Sequence, residues 1–186
     1  FEKTISPSMD ILISSNLERL LYEVTDHDAD RVRGWMQELA EKGYYEIDDN
    51  SRSIIRQNFQ GGYCSDEDTL DTIRKTWKQY RYLPDTHTAV ALNVYEKYRN
   101  TTGDTKPAIV ASTASPFKFG SSVAQALLSP AMLENKPDFE LLKLLSSAAG
   151  IEIPTAIRDL ESLSVRHNTV TTAMEMPETI ARFLNI

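Results

Sequence analysis

Apolar residues recur at helical spacing along most of the chain, and capping residues mark where several of these stretches begin and end. Asp28 precedes an amphipathic stretch that Gly43 terminates, the usual order of an N-cap and a C-terminal glycine. Ser65, with Asp68 three residues later, resembles a capping box. The predicted helices are 29–42, 66–80, one that begins at Thr86 or Thr88 and ends near Gly103, 138–149, 154–160 and 177–184. The loop-like stretches are 48–52, 60–65, 101–106 and 129–137.

One stretch, Ala108–Ala111, has the character of a strand. Its residues are apolar on both faces, which is typical of an inner strand in a sheet covered by helices. Candidate partners, all weakly apolar, lie at 11–13, 44–47 and 169–172. We therefore predict an α/β fold that is mostly helical, with one inner strand of an open sheet and flanking helices. Either the weak candidates complete a small sheet, or the other strands lie outside this chain and an exposed apolar face at Ile109 and Val110 drives self-association.

Composition and charge narrow the classes of partner. The 186 residues carry 27 acidic and 20 basic side chains, and the net charge of −7 opposes a phosphate backbone, so no nucleic-acid partner is expected. One cysteine, Cys64, and three scattered histidines give neither an internal disulfide nor a metal-ligand spacing. No apolar run reaches the roughly 18 residues of a membrane span, and no signal pattern is visible. We expect a cytoplasmic protein with no metal and no membrane partner.

The most informative polar segment, 112–122, directly follows the predicted strand. In open α/β sheets ligands bind beyond the carboxyl ends of the strands, and small hydroxyl residues there offer donors and acceptors without bulk. Gly120 and the two serines after it can present free backbone N–H groups to an anion. The alternative is an ordinary strand-to-helix turn with Ser121 or Ser122 as the N-cap.

Two further segments carry candidate groups. His87 lies in the first turn of a predicted helix, where it can act as a general acid or base, contact a ligand, or only cap and pack. The N-terminal segment 6–16 contains several hydroxyl side chains, and its alternative interpretation is a loop followed by a helix cap at Ser15 or Asn16. The sequence contains no nucleophile elbow, P-loop or dinucleotide fingerprint.

Taken together and in order, these three segments resemble threonine synthase. Residues 4–19 are similar to the family's T-x-S-x-x-M-D…S-N…R stretch, residues 85–90 to its acidic-P-H-x-A-V helix start, and residues 111–119 to its T-A-H-P-x-K-F segment. Thr86 replaces the family's usual proline, and Ser115 stands where many members have histidine. The role that the family gives that histidine is therefore not carried over.

The resemblance implies a pyridoxal-phosphate-dependent lyase of the tryptophan-synthase-like fold type II, which converts O-phosphohomoserine and water to threonine and phosphate in threonine biosynthesis. The family's Schiff-base lysine and phosphate-binding glycine loop belong to earlier parts of the enzyme, and neither motif occurs here. We therefore expect the C-terminal portion of a threonine synthase, inactive without the rest of its chain. Residues 1–128 would complete the cofactor-binding catalytic region, with a helical segment over about 28–80, and residues 129–186 would form a C-terminal helical tail.

The same resemblance implies site residues. By motif position the hydroxyl of Thr113, or alternatively of Ser112, hydrogen-bonds the pyridine nitrogen of the cofactor, and neither the Schiff-base lysine nor a metal ligand falls in this chain. The matching substrate-binding positions are Ser15, Asn16, His87 and Lys118. Lys118 is either a cation for the substrate phosphate or a surface lysine.

Two rival functions are compatible with the sequence. One is a helical interaction or regulatory module without catalysis, since the chain cannot itself hold pyridoxal phosphate covalently. The other is a different pyridoxal-phosphate eliminase of the same architecture.

Overall fold

The computed structural model describes residues 2–186, which form two compact units: the first ends at Glu152 and the second is Ile153–Ile186. The α-helices of the first unit are α1 (Ser15–Val24), α2 (Ala29–Lys42), α3 (Asp49–Asn58), α4 (Asp66–Tyr80), α5 (Thr86–Thr102), α6 (Gly120–Leu127), α7 (Pro130–Leu133) and α8 (Asp138–Ala149). This unit also has 3₁₀ turns at Pro7–Met9 and Pro116–Phe119. The second unit contains α9 (Thr155–Arg158), a 3₁₀ turn at Leu160–Ser162 and α10 (Met176–Leu184).

The predicted helix boundaries are confirmed where a capping residue marks them. The Asp28 carboxylate accepts a hydrogen bond from the N–H of Arg31 (2.9 Å), and Gly43 ends α2 with a left-handed φ of 79°. Ser65 likewise accepts from the N–H of Asp68 (3.1 Å) at the start of α4. Such caps satisfy backbone groups that a helix end leaves unpaired, so their effect is local and can be recognised in the sequence.

Helix α3 occupies a stretch whose first residues were predicted to form a loop. Asp48 accepts hydrogen bonds from the N–H (2.9 Å) and the hydroxyl (3.0 Å) of Ser51, so the polar run 48–52 is a helix start. Ile55, one turn further on, packs against a small core between α1 and α2. The buried residues of this core are Leu21, Val32 and Trp35.

The main core of the first unit lies where α4, α5, α6 and α8 meet. Its buried side chains include Ile73, Ala89, Val123, Ala124, Ala126, Leu141, Leu142 and Leu145. Arg74 donates from Nε to the carbonyl of Ala126 (3.0 Å), which ties α4 to α6. Gly120 allows α6 to approach α8 closely, because a Cβ at this position would overlap Cδ2 of Leu142.

The predicted α/β fold with an inner sheet strand is wrong. The structure is 61% helical, and no residue from 2 to 186 belongs to a strand or sheet, including the candidates at 11–13, 44–47 and 169–172. A strand is stable only when neighbouring strands satisfy its N–H and C=O groups, and the apolar run 108–111 has no such neighbour among the described residues. Ile109 is 100% exposed, as expected for an uncovered apolar run, while Val110 is partly buried. Self-association over this face stays a prediction.

The N-terminal segment before α1 forms a closed loop that contacts two helices. Asp10 accepts hydrogen bonds from the N–H (2.7 Å) and the hydroxyl (2.8 Å) of Thr4, which closes the loop. A backbone N–H within the loop donates to Asp66 at the start of α4 (3.1 Å). The N–H of Ser8 donates to Nε2 of His87 in α5 (3.0 Å), so this segment is held to the main core from two sides.

Replacing Gly120 with alanine is expected to destabilise the chain by about 1–3 kcal/mol, because the added methyl group must displace Leu142 within a packed core. Urea unfolding followed by circular dichroism measures this change. Gly34→Ala is the matched control: Gly34 lies exposed in α2 with open space around a Cβ, so alanine is expected to stabilise the helix by roughly 0.5–1 kcal/mol. Equal effects of the two substitutions would contradict the close approach of α6 and α8.

His87→Ala is expected to loosen the N-terminal loop, because the N–H of Ser8 then loses its acceptor. The lost hydrogen bond is worth roughly 0.5–1.5 kcal/mol, equivalent to a roughly 2- to 12-fold faster amide exchange. Hydrogen–deuterium exchange of peptides covering residues 4–10 measures the change. His27→Ala is the control, since His27 contacts Glu23 on α1 instead. Unchanged exchange in the His87 variant would show that this contact does not hold the loop.

Candidate functional site

A buried carboxylate at the N-terminus of α5 organises the segments with candidate chemistry. Asp85 is fully buried, as are Pro84 before it and Thr86 after it. Its Oδ1 accepts hydrogen bonds from the N–H groups of His87 (2.9 Å) and Thr88 (3.3 Å), so Asp85 is the N-cap of α5. The positive end of the helix dipole also favours a negative charge at this position.

The hydrogen-bond partners of His87 determine which of its ring nitrogens carries the proton. Its Nε2 accepts from the N–H of Ser8 (3.0 Å), so this nitrogen carries no proton. Its Nδ1 lies 3.2 Å from Oδ1 of Asp85 and donates the single ring proton to that carboxylate. The ring also contacts Phe119, with the two ring centres 4.6 Å apart. His87 thus joins the N-terminal loop, helix α5 and the 3₁₀ turn at 116–119.

A chain of hydroxyl groups runs from Asp85 to Ser112. The Thr88 hydroxyl donates to Oδ2 of Asp85 (2.5 Å), and the hydroxyl oxygens of Thr88 and Ser112 lie 3.1 Å apart. The Thr88 hydroxyl is in donor geometry toward both oxygens, and its single proton is shared between the carboxylate and Ser112. The Tyr82 hydroxyl lies 2.8 Å from Ser112, within hydrogen-bond distance. We call Tyr82, Asp85, His87, Thr88 and Ser112 the Asp85 cluster.

A cavity of about 350 Å³ lies beside the hydroxyl groups of the Asp85 cluster. Its lining residues are Thr76, Tyr80, Tyr82, Thr88, Leu92, Val110 and Ser112. The wall combines apolar surface with several hydroxyl groups, which is the usual composition of a small-molecule site. The Ser112 side of the cluster is therefore open to a ligand or to another part of the protein.

The predicted residues of this segment, Ser112, Thr113 and Lys118, all lie at the surface. Thr113 is exposed, and within residues 2–186 its hydroxyl has no hydrogen-bond partner. Lys118 is exposed on the 3₁₀ turn, with its Nζ 5.3 Å from the centre of the Phe119 ring. Because His87 packs on the same ring, the structure brings His87 and Lys118 to one aromatic side chain. Ser115, which replaces the family's histidine, caps this turn by accepting a backbone N–H (3.3 Å).

Ser15 and Asn16 lie apart from these residues. Both are exposed in the first turn of α1, where the Asn16 side chain accepts a hydrogen bond from Arg19. Ser15 lines a separate cavity of about 600 Å³ between α1 and α2. In the described part of the chain no hydrogen bond or ring contact links Ser15 or Asn16 to the Asp85 cluster, so their role toward a substrate stays a prediction.

Asp85, Thr88 and Tyr82 are candidate functional residues that the sequence reasoning missed. Asp85 directly precedes a predicted helix start, and an aspartate with a hydroxyl residue three positions later is a recognisable capping pattern, so the first two were detectable. Tyr82 gives no such signal, because its partner Ser112 lies 30 residues away along the chain.

Cys64, the single cysteine of the sequence, is not an activated thiol. Burial raises the pKa of the Cys64 thiol above its usual range, and its Sγ lies 3.1 Å from the hydroxyl of Thr69. Residues 2–186 contain no group of three or more His, Cys, Asp or Glu side chains placed to hold a metal ion. Over the same residues, no helix has both the length and the apolar character needed to cross a membrane.

Comparison with known proteins adds independent information. The family model described as "Threonine synthase, C-terminal" matches residues 88–180. The threonine synthase of Saccharomyces cerevisiae is 35% identical over 138 residues, which cover 67% of this chain and 27% of that protein. "Threonine synthase-like 1" from Homo sapiens is 34% identical over 125 residues, which cover 67% of this chain and 16% of that protein.

A solved structure is similar over nearly the whole chain. The crystal structure of threonine synthase from Brucella melitensis with pyridoxal phosphate bound aligns with a TM-score of 0.71 and 30% identity. The alignment covers 98% of this chain and 34% of that one. The present chain thus spans between 16% and 27% of the length of the two curated relatives. The family match, the identities and the structural similarity agree, and the chain belongs to the threonine synthase family, of which it corresponds to the C-terminal portion.

Proposed function

We propose that this chain is part of a cytoplasmic threonine synthase that converts O-phosphohomoserine and water to threonine and phosphate with pyridoxal phosphate as cofactor. The observation that carries the proposal is the convergence of the family's three motif segments on Asp85. The N-terminal segment reaches it through His87, and the 111–119 segment reaches it through Ser112 and Phe119. Because the chain spans only part of its relatives, it contributes one wall of the site, and the remainder of the polypeptide supplies the others.

The Thr113 hydroxyl is the group of this chain that best suits the pyridine nitrogen of the cofactor. It is exposed and has no partner among the described residues, whereas the Ser112 hydroxyl is engaged by Thr88 and Tyr82. This difference favours Thr113 over Ser112. When bound, pyridoxal phosphate supplies the electron sink for elimination and replacement chemistry. A neutral hydroxyl donor does not favour a charged ring nitrogen as a carboxylate would, so it moderates that electron withdrawal.

Lys118 is the proposed contact for the phosphate group of the substrate. Its ammonium group is exposed, and in the described residues it forms no ion pair with a carboxylate. A charge-assisted hydrogen bond to a phosphate oxygen is the interaction it is equipped to make. Ser15 and Asn16 are the second proposed substrate contact. Both ring nitrogens of His87 are engaged inside the protein, so any effect of His87 on the substrate acts through the segments that it holds.

The lysine that binds the cofactor covalently is expected outside residues 1–186. Borohydride treatment of the full-length holoenzyme, followed by peptide mapping, should therefore place the cofactor label in a peptide that is not part of this sequence. The 186-residue chain alone should form no threonine. A labelled lysine within this chain would contradict the proposal that it supplies only one wall of the site.

Thr113→Val in the full-length enzyme is expected to lower kcat/KM and to change the absorption spectrum of the cofactor. Valine keeps the β-branched shape but removes the hydroxyl, and a hydrogen bond lost in a site that excludes water costs on the order of 1–3 kcal/mol, or roughly 5- to 150-fold in rate. Steady-state kinetics with O-phosphohomoserine and absorption spectroscopy measure the two effects.

Thr113→Ser is the matched control, because the hydroxyl donor survives and most of the activity should be retained. Thr113→Asp should shift the cofactor absorption, since a carboxylate favours a protonated ring nitrogen. Unaltered turnover and an unaltered spectrum in the valine variant would remove Thr113 from the site, and Ser112→Ala would then be the variant to measure.

A further inference from the structure

Asp85 accepts more hydrogen bonds than its role as a helix cap requires. Two of its donors are the backbone N–H groups of His87 and Thr88, which cap α5. The other two are side chains, Nδ1 of His87 and the hydroxyl of Thr88. Asp48, the corresponding cap of α3, accepts from one residue of its own helix and from an exposed arginine. Only at Asp85 do the side-chain donors lead on to the candidate site.

Thr88 is the residue of the hydroxyl chain that connects Asp85 to Ser112. Its hydroxyl donates to Oδ2 of Asp85 (2.5 Å) and is also in donor geometry toward Ser112 (3.1 Å), whose hydroxyl lies 2.8 Å from that of Tyr82. Hydrogen bonds to a charged acceptor are stronger than those between neutral groups, and each bond in such a chain polarises the next. The exposed Ser112 side chain is therefore attached to helix α5 through Thr88, from a position outside its own segment.

We propose that Asp85 is a positioning residue of the cofactor site: through Thr88 it fixes Ser112, and the fixed backbone at Ser112 presents the Thr113 hydroxyl to the pyridine nitrogen. This inference rests on the proposed function, since it requires the cofactor ring to contact Thr113. Asp85 itself does not touch the cofactor. Its role is to restrict the neighbouring hydroxyl to one geometry before the cofactor arrives.

The substitution Asp85→Asn separates the positioning role of this residue from its role as the cap of helix α5. Its Oδ1 still caps the helix, but its amide group donates, so Thr88 must accept from it and donate to Ser112 instead. The Thr88 proton is then no longer shared with position 85, while the shape of the side chain is kept. Thr88→Val removes the link between Asp85 and Ser112 but keeps the hydrogen bonds from the backbone N–H groups of His87 and Thr88 to Asp85. It therefore tests the same link if Asp85→Asn folds poorly.

The experiment compares Asp85→Asn, Thr88→Val and Thr88→Ser in the full-length protein, with Asp48→Asn as the matched cap control. Apoenzyme is titrated with pyridoxal phosphate, and the dissociation constant and cofactor absorption spectrum are measured alongside kcat/KM. We expect Asp85→Asn and Thr88→Val to weaken cofactor binding by about 5- to 30-fold, the size of one lost hydrogen bond, and to alter the spectrum. Thr88→Ser should restore both quantities. Asp48→Asn should lower only the thermal midpoint.

The outcomes separate this inference from the proposed function. If Asp85→Asn and Thr88→Val leave cofactor affinity and spectrum unchanged while Thr113→Val alters them, the positioning role is overturned and the proposed function stands. If Thr113→Val is also without effect, the cofactor does not contact Thr113, so both the positioning role of Asp85 and the assignment of Thr113 are overturned, and Ser112→Ala tests whether the cofactor contacts Ser112 instead. Cofactor binding weakened equally by Asp48→Asn would show general destabilisation and would also overturn the positioning role.

Discussion

Burial of the Asp85 carboxylate obliges the chain around it to supply hydrogen-bond donors. A charged carboxyl group removed from water without partners costs several kcal/mol or more, so its environment has to replace the lost hydration. Here four donors from two residues, His87 and Thr88, do so, two from the backbone and two from side chains. Their positions follow from the helical turn that Asp85 itself begins. The same hydrogen bonds therefore begin helix α5 and replace the hydration of the carboxylate.

The side chains that donate hydrogen bonds to the Asp85 carboxylate also connect distant segments of the chain. His87 has two ring nitrogens, and because Nδ1 donates to Asp85, Nε2 is left as an acceptor for the backbone of the N-terminal loop. The Thr88 hydroxyl donates to Asp85 and is also in donor geometry toward the hydroxyl of Ser112. His87 thus connects Asp85 to the N-terminal loop, and Thr88 connects it to Ser112. The order Asp-x-His-Thr at 85–88 explains why three motifs far apart in sequence meet at one helix end.

Elements whose boundaries are fixed by neighbouring residues could be predicted from the sequence, and elements that depend on distant contacts could not. Helices α2 and α4 were predicted with correct boundaries, because Asp28, Gly43 and Ser65 act within one turn of the residues they cap. Helix α3 was not predicted, because a polar run is compatible with a loop until the packing of Ile55 is known. The strand at 108–111 was wrong for the same reason: apolar character does not specify hydrogen-bonding neighbours, and the described residues contain none for it.

Long-range contacts that the sequence does not show also distinguish the two adjacent hydroxyl residues of the candidate site. From the sequence, Ser112 and Thr113 were equivalent donors at the end of an apolar run, and motif position alone ranked them. Tertiary structure distinguishes them, because Tyr82 and Thr88, 30 and 24 residues away, engage only the serine. Ser112 attaches the segment to helix α5, whereas the exposed Thr113 hydroxyl has no partner among residues 2–186. Two adjacent and chemically similar hydroxyl groups therefore have different surroundings, which only long-range contacts determine.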